Sequence, residues 1–266
     1  MKYILYIHNT MCNPVHTMQY CSSGCHHIYC YFYRTQGDGN CLYRACSKLL
    51  CGKEDLCYLL RDLTSIELFR HQEFYAIHPH IKENAHFFNS ENNAFSASVS
   101  DGALADGYDC KDPCSRTVVV KRETIRNATN GIYSSLLCVF ALSSVTGMDL
   151  ISVYPEKLGK ETKYSQFQNG TISPRARHDS FSSKLVQEAK IIIMWTTDGV
   201  LTHNETFQTN HFVPLVEFTT KQKNTEGLPT VNQQKFLCNE KKLTFSKKWR
   251  KSQQLLLKVM FSSFLM

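Results

Sequence analysis

At 266 residues, with 42% hydrophobic and 20% charged content, the chain is long enough for one sizeable core and has the balance of an ordinary globular protein. No stretch reaches the about 18 uninterrupted apolar residues that a membrane span needs, and His8 and Asn9 cut the apolar start too short for a secretory leader, so the expected compartment is cytoplasmic or nuclear. The net charge of +7 sits in residues 219–266, which carry +8 against −1 for the rest, so basicity describes the tail and not the chemistry of the body.

Taken in order, residues 1–27 are Cys/His-rich and show no period. They are expected to be a disordered N-terminal extension, or part of a unit whose natural start lies elsewhere. Cys12, His16, Cys21, Cys25, His26, His27 and Cys30 offer one CxxxC spacing and none of the paired short spacings of a zinc module, so no metal is expected there. The chain holds twelve cysteines and no CxxC pair; most are expected to be reduced thiols serving as small buried hydrophobes. The sequons at Asn127, Asn169 and Asn204 carry no information for a chain outside the secretory route.

The body spans residues 28–218. Ile28–Tyr33 (IYCYFY) is β-prone and stops at the turn Gly37-Asp38-Gly39-Asn40. From Cys41 the period becomes helical: Cys41, Leu42, Ala45, Cys46, Leu49 and Leu50 share a face, and Gly52 supplies a C-terminal stop. Glu54 and Asp55 open a second helix, with Leu56, Leu59, Leu60, Leu63, Ile66 and Phe69 at helical spacing until Pro79. His71, His78, His80 and His86, on or just after it, are expected at the surface. Residues 89–116 read mainly as loop, 132–146 as a helix that turns at Gly147 into the strand DLISVY, and 157–183 as a polar stretch. Ala189–Thr197 and Asn210–Phe218 are the last strands, and Pro214 argues for an edge position or a bulge. This order predicts an α+β domain with helices packed against a small central sheet. The tail, 219–266, is basic and expected to be flexible, with Lys241, Lys242, Lys247, Lys248, Arg250 and Lys251 as a candidate nucleic-acid or import patch.

A cysteine nucleophile needs a stabilised thiolate, a base and donors for the oxyanion of the tetrahedral intermediate. Only Cys41, among the twelve, follows a Gly-Asp-Gly-Asn turn and opens an amphipathic helix. That position puts its sulfur near the positive end of the helix dipole and near unpaired N–H groups.

GDGNCLYRA, around Cys41, resembles the nucleophile motif of the ovarian-tumour (OTU) family of cysteine proteases, and SSLLCVFALSSVTGMDLISVYP, AKIIIMWTT and NHFVPLVEF follow in family order over about residues 30–218. The resemblance implies a papain-like OTU fold, a deubiquitinase acting on ubiquitin or ubiquitin-like conjugates, Cys41 as nucleophile, His211 as base, and Asp38 as the residue ordering the oxyanion loop. It implies no metal or organic cofactor. His203 is the competing base. The sequence departs from the family pattern at Val213, where many members place an Asp or Asn that orients the histidine; Asn210, Asp198 and Asp38 are the candidates for that task. Two other readings stand beside the enzyme: a catalytically weak OTU-like module that binds ubiquitin or another protein, and an OTU-like domain of a mobile-element protein with a nucleic-acid-binding tail.

Overall fold

The computed structural model describes residues 15–21, 27–104, 112–154, 162–175, 190–196 and 211–218. Asp198, His203, Asn204, Asn210 and the basic tail, with its candidate nucleic-acid patch, lie outside the described residues, as do Cys12, Cys25 and His26. The aromatic run before the Gly-Asp-Gly-Asn turn forms β2 (His27–Tyr33), as its residue types require. It pairs antiparallel with β1 (Val15–Cys21), within a segment that shows no readable period in the sequence. The remaining strands are β3 (Asp149–Val153), β4 (Gly170–Ile172), β5 (Lys190–Thr196) and β6 (His211–Phe218). The sheet runs β1-β2-β6-β5-β3-β4, with β3 and β5 parallel and the other neighbours antiparallel.

Pro214 does not put β6 at the edge: the strand lies between β2 and β5. Instead, β6 changes partner there. His211 to Pro214 pair with β5, and Leu215 to Phe218 pair with β2. A proline has no N–H to give a ladder, and the β2 ladder begins one residue after it, at Leu215↔Phe32.

The helical layer starts at α1 (Cys41–Cys51), which packs on β5 and β6 and buries Leu42, Tyr43, Ala45 and Cys46. Gly52 ends it in the left-handed conformation, φ 77°, its N–H bonded to the Lys48 carbonyl. The helix expected from Glu54 to Pro79 is broken at His71 into α2 (Cys57–Arg70) and α3 (Gln72–Ala76), and α4 (Pro79–Glu83) follows Ile77-His78. Phe69, counted on the apolar face, is 59% exposed.

Among its described residues, the stretch 89–116 is mostly helical and not loop. After the 3-10 turn Ala85–Phe88 come α5 (Glu91–Ser98) and α6 (Asp101–Leu104), then α7 (Pro113–Ala128), most of which no sequence period marked. Its polar residues are caps: Ser90 accepts the Asn93 N–H, and Asp112, ahead of Pro113, accepts the Ser115 N–H. The polar 157–183 stretch likewise contains α9 (Lys163–Gln168), opened by a Thr162–Ser165 capping box. α2 packs against α7 and against α8 (Leu136–Thr146). Every residue of α8 from Leu136 to Ser143 is buried, so this helix is the centre of the core.

Of the expected surface histidines, His78 is buried and His80 is half-buried. His78 stacks on Phe140, ring centroids 4.2 Å apart and 10° from parallel, and its Nδ1 accepts the His80 N–H as the α4 cap. The His80 ring bonds the Phe167 carbonyl at 2.7 Å. His86 is exposed, as expected. Burial lowers the His78 pKa from 6.5 to about 3. Because the folded value lies below the unfolded one, the unfolded chain takes the proton first, and stability falls as pH drops from 6.5 towards 3. His78→Asn keeps a capping acceptor without the titration. Urea unfolding at pH 7 and pH 4.5 should show a smaller acid loss in the variant than in the parent chain.

Candidate active site

Asp38 anchors the turn before α1. Its Oδ1 accepts the Asn40 N–H at 3.0 Å and Arg44 Nε at 3.2 Å, and its Oδ2 accepts Arg44 Nη2 at 2.5 Å. The Arg44 guanidinium, with the Asn40 bonds, holds this carboxyl down at about 2 against the opposing pull of burial. Arg44 also bonds Glu54, which pairs with Lys48, so the turn is tied to the loop behind α1. Gly39 has φ +77°, and a Cβ there would meet the Gly131 carbonyl oxygen at 2.2 Å; both demands require glycine. Asn40 precedes the helix but makes no side-chain capping bond. Cys41 is then the first residue of α1, where the dipole favours a thiolate. Its neighbours in type are ordinary core thiols: burial pushes Cys57 up to about 11 and Cys138 up to about 12.

His211 opens β6, the strand against which α1 packs. Its Nε2 lies 2.9 Å from Thr35 Oγ1, and that hydroxyl donates to the Phe212 carbonyl at 2.5 Å. A hydroxyl has one proton. Since Thr35 gives it to Phe212, it accepts from His211, so Nε2 carries the ring N–H and Nδ1 the lone pair of the neutral imidazole. The register explains why Thr35 is there. Continuing Phe32↔Leu215 past Pro214 brings Thr35 opposite Phe212. Where the ladder to β2 has ended, the side chain of Thr35 takes up the strand's carbonyl.

The structure therefore brings together the helix of Cys41, the strand of His211 and the segment that carries Thr35. Asp38 belongs to the cysteine turn and not to the histidine: its carboxylate faces Arg44 and the Asn40 N–H. Of the three candidates for orienting His211, it is thus excluded, while Asp198 and Asn210 lie outside the described residues. Val213 is buried and pairs with Met194. Thr35 escaped the sequence reading; the signal available was a hydroxyl in the extended link between β2 and the turn. Cys41 is 1% exposed and His211 3%, so both are covered. Among the described residues no group of three or more His, Cys, Asp or Glu could hold a metal ion, and no helix is long and apolar enough to cross a membrane.

Residues 33–196 match the family model of the Vertnin OTU domain. Among solved structures, the chain is similar to the OTU domain of OTUD1, with 20% identity over 70% of this chain and 85% of that one and a TM-score of 0.38. It is also similar to the viral OTU domain protease from Farallon virus, with 10% identity over 81% and 98% and a TM-score of 0.40. No curated protein matches the chain.

Removing the hydroxyl that fixes the imidazole should weaken His211 as the candidate base. Thr35→Val is expected to slow iodoacetamide alkylation of Cys41 near pH 7 by about tenfold or more, within the range of general-base effects, while Thr35→Ser should retain most of the rate. Mass spectrometry of the Cys41 peptide reads both.

Proposed function

The chain belongs to the Vertnin-type OTU-domain family, and from that premise we propose that it is a thiol-dependent hydrolase cleaving isopeptide or peptide bonds at the C-terminus of ubiquitin or a ubiquitin-like protein. The observation that carries the reading is the His211–Thr35–Phe212 link on the strand packed against the helix that Cys41 opens. It supplies a base of defined tautomer without the usual Asp or Asn at the position of Val213.

His211 Nδ1 takes the Cys41 thiol proton, giving thiolate and imidazolium. The thiolate attacks the carbonyl carbon of the scissile bond; a C–S bond forms and the carbonyl electron pair moves to oxygen. Backbone N–H groups at the start of α1 receive that oxyanion. On collapse the C–N bond breaks, and the leaving amine takes the proton from the imidazolium. Water, deprotonated by His211, then attacks the thioester and restores the thiol. Asp38 keeps the turn in register throughout: ionised at neutral pH, it holds the Asn40 N–H and the Arg44 guanidinium. The imidazolium formed in the first step donates from both nitrogens, one of them to Thr35.

Burial of Cys41 and His211 supports a second reading, an OTU-like module that binds ubiquitin without cleaving it. A substrate tail would have to reach a sulfur that is 1% exposed. One experiment separates the two. Ubiquitin bearing a C-terminal vinyl methyl ester should form a covalent adduct with the full chain at Cys41; the adduct should vanish in Cys41→Ala and persist in Cys57→Ala. Saturable binding without any adduct would replace the enzyme with the module, and absence of both would end the ubiquitin assignment.

A further inference from the structure

Arg61, on α2, is 1% exposed, yet none of its hydrogen-bond acceptors is a carboxylate. A guanidinium has five N–H donors, and each finds a neutral oxygen. Nε bonds the Asn127 carbonyl at 2.6 Å; Nη1 bonds the Gly39 carbonyl at 3.0 Å and Asn40 Oδ1 at 2.7 Å; Nη2 bonds the carbonyls of Thr129 at 2.7 Å and Ile132 at 2.5 Å. Burying an ion without a counter-ion is expensive and persists only where every donor is met. Here the acceptors are the turn before Cys41, the 129–132 segment between α7 and α8, and the last turn of α7 at Asn127.

The geometry points to Arg61 as the positioning residue that sets the oxyanion-binding turn at Cys41. This inference rests on the reading of Cys41 as an acyl-accepting nucleophile. The peptide joining Gly39 to Asn40 is held on both sides: its carbonyl accepts from Arg61 and its N–H donates to Asp38 Oδ1. A planar trans peptide pinned at both ends resists flipping, so its carbonyl stays on Arg61 and its N–H on Asp38. Arg61 also draws the Asn40 side chain out of its usual capping position, and Asn130 completes that hold, accepting from Asn40 Nδ2 at 2.9 Å. Asparagine is among the best helix caps; with its oxygen on Arg61, it does not compete for the N–H groups of the first turn. The close approach of Gly39 to Gly131 locks the same two loops without any side chain between them.

The test compares two reactions of Cys41 in the full chain, each read on the Cys41 peptide by mass spectrometry. p-Nitrophenyl acetate acylates the thiolate through a tetrahedral oxyanion, forming the thioester and releasing p-nitrophenolate. Iodoacetamide alkylates the same thiolate by displacing iodide, with no oxyanion at a carbonyl. Arg61→Lys and Asn130→Ala should lower the acylation rate roughly 10- to 100-fold, at or below the loss of an oxyanion-hole donor, and leave alkylation within about twofold. Asn130 is exposed, so its variant reports on the turn even if the Arg61 variant unfolds. Parallel loss of both reactions in Asn130→Ala with an unchanged melting temperature, or unchanged acylation in the folded variants, would overturn the role of Arg61. The small ester contains no ubiquitin, so either result leaves the ubiquitin assignment to its own test. A parent Cys41 inert to both reagents would overturn the nucleophile itself.

Discussion

One hydroxyl joins the two halves of the site. Thr35 Oγ1 reaches across from the segment that leads to Cys41 and bonds both the ring of His211 and the carbonyl of the next residue. Its position is a matter of strand register, fixed by the β2–β6 ladder and by the point where Pro214 ends it. A one-residue slip of β6 would move every side chain to the other face, carrying the imidazole away from its partner. Sheet pairing and site geometry are therefore the same constraint seen at two scales.

Around that link the turn before α1 is held by charge. Asp38, Arg44, Glu54 and Lys48 form a partly exposed chain of ion pairs on one side, and Arg61 lies beneath on the other. Individual exposed pairs contribute little, about 0–1 kcal/mol each, so the outer set matters for the direction it imposes on the turn more than for stability. The inner guanidinium is different in kind. Its fork binds carbonyls from two loops at once, and a lysine, with a single ammonium, cannot reproduce that spread.

What the sequence made legible was local. The Gly-Asp-Gly-Asn turn, the helical period from Cys41 and the stop at Gly52 need only neighbouring residues, and all appear as read. The same holds for the strands at 190–196 and 211–218 and for the helix–Gly147–β3 passage, except that α8 starts at Leu136 and not at 132. Thr35 was not legible because its partner lies 176 positions away, and nothing beside it in sequence announces a histidine. α7 was missed for another reason: Thr117-Val118-Val119-Val120 has the residue types of a strand. The Asp112-Pro113 cap and the burial of Val119, Val120, Glu123 and Asn127 against the core decide for helix. His78 was placed outside because histidines usually are; its stacking on Phe140 comes from a helix some sixty positions away.

Cys41, the proposed nucleophile, is 1% exposed, and burial of that degree has a consequence that no residue type encodes. A sulfur shielded from solvent is less accessible to peroxide and stray electrophiles, which protects it from the irreversible oxidation that threatens an exposed thiolate. The same shield taxes every ligand: if the open form were about 1% of molecules, apparent affinity would fall about a hundredfold from its intrinsic value.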